Sequence, residues 1–195
     1  MMTWPLSIAL FCAFRWNLLL TVESMLVGSL LGYLLARMMN SYIKAFHALG
    51  TVVNRCFCYL PSYVLLIVFP NIFPQKIMLL GWPLRFSPMS IAMIALSIPV
   101  IGLSSRLWAK TGTKKMKYQH YIFYRQYFIV ILMASVTSSV IGVPEILATA
   151  NTYVASVARQ SAFFPVYGFV CGCFMTTAIL IRVFFRLCVE RVSHK

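Results

Sequence analysis

Acidic residues are almost missing from this sequence. The 195 residues include three glutamates and no aspartate, against 17 lysines and arginines, and only 10% of the residues are charged. Soluble domains carry about a quarter charged residues, so the composition argues against a soluble enzyme. Disordered chains have low hydrophobicity, whereas 61% of these residues are hydrophobic. We therefore expect a chain that folds in lipid.

The sequence also lacks the short motifs that carry common chemistries. It has no G-x-x-x-x-G-K-[ST] loop for nucleotide phosphates, no G-x-S-x-G and no H-E-x-x-H. Its carboxylates, Glu23, Glu145 and Glu190, fall on different predicted spans or loops, so a paired acid and base is hard to build from them. We expect that the chain is not an enzyme and binds no cofactor of its own.

Cysteine is present without the spacing of a metal site. Two pairs, Cys56/Cys58 and Cys171/Cys173, read C-x-C inside or beside apolar runs. Structural zinc sites usually show C-x(2–4)-C pairs in hydrophilic surroundings, and the three histidines are scattered. The cysteines are predicted to be small packing residues in helices, and no metal is expected.

Long uncharged runs are the main positive feature. A helix needs about 20 apolar residues to cross a bilayer. The candidate spans are residues 16–36, broken only by Glu23, and residues 56–75, 86–105, 126–144 and 160–181. Residues 1–15 are apolar but too short to span, and with Trp4 and Trp16 they are typical of an interfacial segment. The predicted fold is an all-α membrane protein, a single transmembrane domain over residues 1–195 with five spans.

The basic residues indicate an orientation. If the N-terminus is outside, thirteen of the 17 lysines and arginines fall in inner segments. The other four are Arg15, Lys76, Arg85 and Arg159. This bias predicts an N-out, C-in topology, and it explains the net charge of +14 better than a nucleic-acid partner does. The longest basic stretch, residues 110–125, is expected to contact anionic lipid or a partner protein.

Two polar or small-residue features lie inside the first span. Glu23 is seven residues into the span, about 10 Å deep, and an intramembrane carboxylate is a functional candidate by default. The structural alternative is that Glu23 pairs with Asn17, Arg15 or a partner subunit. Gly28 and Gly32 form G-x-x-x-G, a spacing that favours close helix packing.

Prolines interrupt two of the other spans. Pro61, Pro70, Pro88 and Pro99 are expected to break or kink their helices. Broken helices expose backbone groups that only protein or water can satisfy within a membrane. This pattern favours a transporter-like bundle over a simple anchor.

Residues 138–147 read SSVIGVPEIL, and the tail carries an E-R pair at Glu190 and Arg191. These segments resemble permease subunits of polar amino-acid ABC importers, which read S-x-I-G-V-x-E-L at this place and close their last span with E-R. The matching positions are Ser139, Ile141, Gly142, Val143, Glu145 and Ile146. In the first span, Thr21, Gly28 and Gly32 also stand where that family has Thr and Gly.

The resemblance implies a permease subunit of the bacterial inner membrane that works by alternating access, with a polar amino acid as substrate. It implies a second permease subunit, a substrate-binding protein outside, and ATPase subunits that hold ATP and Mg. Membrane lipid would surround the spans. Thr21, Glu23 and Glu145 are then candidates for the substrate pathway.

The sequence departs from that family in one loop. The family inserts a coupling helix with an E-A-A…G motif into the ATPase, but residues 112–126 contain no E-A-A and are too few for the usual segment. Lys114, Lys115 and Lys117 could make a shortened, electrostatic contact with an ATPase. The alternative is a degenerate permease-like subunit that stabilises or regulates a membrane complex without coupling to an ATPase.

Overall fold

The computed structural model describes residues 4–72, 76–79, 82–110, 114–157 and 162–193. For residues 4, 76–79, 82–85, 114–119 and 188–193 it describes the backbone. The elements in chain order are α1 (Trp4–Met39), α2 (Lys44–Tyr59), α3 (Ser62–Ile72), β1 (Lys76–Leu79), β2 (Trp82–Arg85), α4 (Pro88–Ala109), α5 (Lys114–Ser135), a 3-10 helix (Val136–Ile141), α6 (Ile146–Val157) and α7 (Phe163–Ser193).

The helices confirm the predicted all-α membrane bundle. Within the described ranges, α1, α4, α7 and the segment from α5 through the 3-10 helix are long and apolar enough to cross a membrane. A fifth span exists if the bent pair α2–α3 counts as one. One small departure is the antiparallel hairpin of β1 and β2, which lies between the second and third predicted spans.

The first helix is longer than predicted. We expected residues 1–15 to form an interfacial segment separate from the span 16–36, but α1 runs without a break from Trp4 to Met39. The reason is packing, because Leu6, Leu10 and Phe14 are buried against α6 and α7. The break predicted after residue 15 is therefore absent, and an interfacial position of the first residues stays a prediction.

The second predicted span, residues 56–75, falls on two helices that meet at Pro61, one of the prolines expected to break or kink a helix. Its first residues belong to α2, which begins at Lys44, and α2 and α3 meet at an angle of 106°. Leu60, the last residue before Pro61, has the extended dihedrals φ −72° and ψ 120°. A proline disfavours the helical region for the residue before it, so the chain turns here and continues as α3.

Prolines 88 and 99 do not break a helix. Pro88 is in the first turn of α4, where its missing N–H has no intrahelical partner to lose. The side chain of Ser87 caps this helix by accepting the N–H of Ser90 at 3.1 Å. Pro99 lies inside α4, which continues to Ala109. The predicted third span, 86–105, thus corresponds to one continuous helix.

The last two predicted spans also have different ends. In place of the span 126–144, α5 ends at Ser135 and a 3-10 helix continues to Ile141. In place of 160–181, α7 runs from Phe163 to Ser193. Both helices extend beyond the predicted apolar runs into basic sequence, since α5 begins at Lys114 and α7 includes Arg182 and Arg186.

Helix α4 lies at the centre of the bundle and packs most closely against α1. Gly28 and Gly32 face α4 at this contact. A Cβ atom at Gly28 would lie 2.5 Å from Val100 Cβ, and one at Gly32 would lie 1.9 Å from Ser104 Oγ. Ser104 Oγ also donates to the carbonyl of Gly28 at 3.2 Å. Only residues without a side chain allow this approach.

Candidate functional site

A group of polar side chains is buried where α1, α5 and α6 meet. We call Asn17, Ser135 and Glu145 the Asn17 cluster; all three are fully buried. Asn17 Nδ2 donates to Ser135 Oγ at 2.9 Å and to Glu145 Oε2 at 3.2 Å. Asn17 Oδ1 accepts the backbone N–H of Ile146 at 3.2 Å. One side chain of the first helix thereby binds two segments from the other half of the chain.

Glu145 caps the N-terminus of α6. Its Oε2 accepts the N–H of Leu147 and its Oε1 accepts the N–H of Ala148, both at 2.8 Å. These are N–H groups that a helix leaves without an intrahelical partner. Burial raises the pKa of Glu145 above its ordinary value, against the lowering effect of hydrogen bonds from Leu147, Ala148, Asn17 and Ser139. The carboxyl group is thus held by donors while it is removed from water.

A tight turn places Glu145 at this helix end. Gly142 ends the 3-10 helix with φ 87°, a left-handed conformation that costs other residues about 1–2 kcal/mol. The N–H groups of Gly142 and Val143 donate to the carbonyls of Ser139 and Ser138, and the Val143 side chain is buried. The residues that carry the sequence resemblance therefore form the turn and the cap that hold the Asn17 cluster together.

Thr21, a predicted pathway residue, lies one turn along α1 from Asn17. It is fully buried, and its Oγ1 donates to the carbonyl of Asn17 at 2.7 Å. The structure therefore brings Thr21 to the edge of the Asn17 cluster, near Glu145. In this conformation both predicted pathway residues are closed off from solvent.

Glu23, the third predicted pathway residue, lies elsewhere. It follows Thr21 by two residues, which places it about 200° around the helix axis. It is half-buried. The pairing of Glu23 with Asn17 is wrong, because the Asn17 amide is bound within the Asn17 cluster. The guanidinium of Arg15 lies 5.5 Å from the centre of the Trp16 ring. A partner subunit stays the open alternative for Glu23.

A second buried polar group fixes α2 against the end of α4. Asn54 is 3% exposed. Its Nδ2 donates to the carbonyl of Gly102 and to Ser105 Oγ, both at 2.5 Å, and its Oδ1 accepts from Arg106 Nε at 3.0 Å. These hydrogen bonds hold α2 against α4 near the end of α4 that leads into the basic loop. The bend between α2 and α3, here called the elbow, follows six residues after Asn54.

The predicted ATPase-contact residues Lys114, Lys115 and Lys117 have their backbone in the first turn of α5. Their side chains lie outside the described residues. Since α4 ends at Ala109 and α5 begins at Lys114, residues 110–113 connect the two helices.

The described residues give no sign of metal or redox chemistry. Among them, no group of three or more histidine, cysteine, aspartate or glutamate side chains could hold a metal ion. Their cysteines are free, namely Cys12, Cys56, Cys58, Cys171 and Cys173.

Sequence reasoning missed the residues that bind the helices together. The sequence indicates Asn17 only as a possible partner of Glu23, and it gives no sign that Asn54 and Arg106 form a pair. The available signal was an amide inside an apolar run. Such a group is costly to bury without partners, so its presence indicates that a second segment supplies hydrogen bonds.

Comparisons with known proteins agree with this architecture. No protein-family model and no curated protein matches the sequence. A chain in a solved structure, described as a crystal structure of an amino acid ABC transporter with histidines, superposes with a TM-score of 0.75. The match covers 94% of each chain at 18% sequence identity. The protein is therefore a multi-pass membrane protein with the permease-like fold of an amino acid ABC transporter chain.

Proposed function

We propose that the protein is a transmembrane permease subunit of an ATP-driven importer in a bacterial inner membrane. Its substrate would be a polar amino acid, and it would act by alternating access with a second permease. The observation that carries the proposal is the fold match at a TM-score of 0.75 over 94% of both chains. The substrate class rests on the description of that neighbour and on the sequence resemblance around Glu145.

The proposal includes partners for chemistry that this chain does not carry. ATP and Mg would be bound by ATPase subunits on the inner side, and a substrate-binding protein would dock on the outer side. Only 6% of the apolar stretch of α7 is buried inside the fold. This leaves surface for a second permease and for membrane lipid, and no nucleic acid is involved.

The position of the pathway candidates fits a moving bundle. Thr21 and Glu145 are fully buried between α1, α5 and α6, so a route that includes them opens only when these helices separate. Glu23 points to another face of α1 and would line a route or contact between two permeases. The two glutamates therefore have different roles in the proposal.

One observation favours the alternative of a degenerate subunit that stabilises or regulates a complex without coupling to an ATPase. Only residues 110–113 lie between α4 and α5, which leaves no room for a separate coupling helix. If the start of α5 cannot dock, the fold would persist without transmitting ATP hydrolysis.

The test is a pull-down of the tagged protein in mild detergent with mass spectrometry of the captured proteins. We expect an ATPase and a second permease in fixed ratio. The purified complex in vesicles should then take up a radiolabelled polar amino acid when ATP is supplied. A captured membrane protein without an ATPase would contradict the importer and support the degenerate subunit.

A further inference from the structure

A cavity of about 730 Å³ lies between α1, α5 and α7, away from the Asn17 cluster. Its volume is in the range of small-molecule sites. Its walls include Leu26 and Ser29 from α1, Trp108 from the end of α4, Tyr124 from α5 and Phe185 from α7. Most of this lining is aliphatic or aromatic, so the interior suits a hydrocarbon better than a zwitterionic amino acid.

One end of the cavity is built from rings in contact. The indole of Trp108 and the imidazole of His120 meet edge to face, with centres 5.2 Å apart. Tyr33 contacts Trp108 from the other side at 5.6 Å, and the guanidinium of Arg37 lies 5.5 Å from the centre of the Tyr33 ring. His120 Nε2 is buried, and no described residue forms a hydrogen bond with it. This end therefore offers polar and cationic groups.

Two exposed cations lie at the helix ends next to these rings. Arg37 follows Tyr33 by one turn at the end of α1, and Lys110 follows Trp108 by two residues at the end of α4. The nearest described carboxylate along α1 is Glu23, which adjoins Val22 at the opposite, apolar end of the cavity. The cavity is thus apolar along its length and basic at one mouth.

We propose that this cavity binds one acyl chain of an anionic phospholipid, with the headgroup held at the basic mouth. Charge complementarity selects the lipid, since each cation near a membrane surface contributes about 1 kcal/mol toward anionic lipid. In the predicted topology this mouth faces the inner leaflet. The site goes beyond the proposed transport function and does not depend on it.

The experiment uses Trp108 as the reporter. Trp4, Trp16 and Trp82 are replaced by phenylalanine in the full-length chain, which leaves one tryptophan in the cavity wall. The protein is reconstituted in phosphatidylcholine vesicles that contain a small fraction of phosphatidylglycerol or phosphatidylcholine with brominated acyl chains. Bromine quenches tryptophan fluorescence on contact. Two cations at the mouth predict a preference for the anionic lipid of roughly tenfold or more.

Matched variants locate the binding. Ser29→Phe fills the cavity, whereas Leu30→Phe adds the same ring at the next position of α1, which is 64% exposed and does not line the cavity. We expect Ser29→Phe to abolish the preferential quenching and Leu30→Phe to preserve it. Arg37→Gln together with Lys110→Gln should reduce the preference for phosphatidylglycerol, while Lys44→Gln on α2 should not.

Three outcomes would overturn the proposal. Equal quenching by the two brominated lipids would show that no anionic lipid is selected. Selective quenching that Ser29→Phe and Leu30→Phe leave equally intact would place the lipid outside the cavity. Loss of quenching on addition of free histidine or arginine would show that the cavity takes an amino acid instead. The Leu30→Phe variant also controls for misfolding in each comparison.

Discussion

Asn17 Nδ2 donates a hydrogen bond to Glu145 Oε2 across 3.2 Å, and the two residues are 128 positions apart in the chain. Both side chains are fully buried. The bond connects α1, which carries Thr21, to Glu145, which caps α6. It therefore joins the two segments that carry these predicted pathway residues. Removing either partner would leave the other buried without it, a cost of about 1–3 kcal/mol.

Glu145→Ala should lower the stability of the protein. The variant loses the cap of α6, worth about 1 kcal/mol, and leaves Asn17 short of an acceptor. Glu23→Ala is the matched control, because no described donor binds Glu23, and a change within about 0.5 kcal/mol is expected there. Thermal unfolding in detergent, followed by tryptophan fluorescence, compares the two. An equal Tm for both variants would contradict the role of the cap.

The titration of Glu145 should make stability depend on pH. Burial raises its folded-state pKa above the unfolded value, so the folded state binds the proton more tightly than the unfolded chain does. Its contribution to stability is therefore present below the unfolded pKa and is lost as pH rises through the folded pKa. The Tm of the wild type should fall over that window. Glu145→Gln cannot titrate and should show a flatter profile; identical profiles for the two proteins would refute the assignment.

The architecture could be predicted because it follows from composition. Runs of about 20 apolar residues can only be buried in lipid or in a large core, and a share of charged residues of only 10% argues against a soluble domain. The break at Leu60–Pro61 has a local cause that the sequence displays. The extra length of α1 does not, because residues 4–15 are held by distant side chains on α6 and α7.

The sequence indicates only some of the residues of the candidate site. Glu145 and Thr21 were identified by resemblance, but the resemblance does not say what they touch. Asn17 meets Glu145 across 128 positions of the chain, and such a long-range contact leaves no periodic signal. Glu23 is a candidate because an intramembrane carboxylate is costly, yet the structure places it on another face of α1 from the one that carries Thr21 and contacts Glu145.

The close packing of α1 on α4 predicts a difference between glycines. Gly32→Leu should weaken the fold, because even a Cβ at this position would lie 1.9 Å from Ser104 Oγ. Overpacking of this kind costs about 1–3 kcal/mol. Gly172→Leu on α7 is the control, since nothing lies within 4 Å of a Cβ there. A Tm for Gly32→Leu as high as that of the control would show that the helices separate without cost.

One amide contributes several hydrogen bonds to the attachment of α2 to α4. Asn54→Ala removes hydrogen bonds to Gly102, Ser105 and Arg106 and leaves a part-buried guanidinium without its acceptor. We expect a loss of about 1–3 kcal/mol and faster proteolysis near the elbow of α2 and α3. Asn71→Ala is the control, because Asn71 is exposed and bonds only within its own helix, to the carbonyl of Ile67. Equal digestion of the two variants would argue against the attachment.

The basic start of α5 is the remaining candidate for coupling to an ATPase. Changing Lys114, Lys115 and Lys117 to glutamate reverses three charges where α5 begins, and should abolish capture of the ATPase in a pull-down while preserving capture of the second permease. The control is Lys44→Glu with Arg55→Glu, which changes exposed cations of α2 on the same predicted side of the membrane. Because exposed charge contacts are screened by salt, wild-type capture should also weaken at high ionic strength. Unchanged capture by the triple variant would remove the electrostatic contact and leave the degenerate-subunit alternative as the better account of this loop.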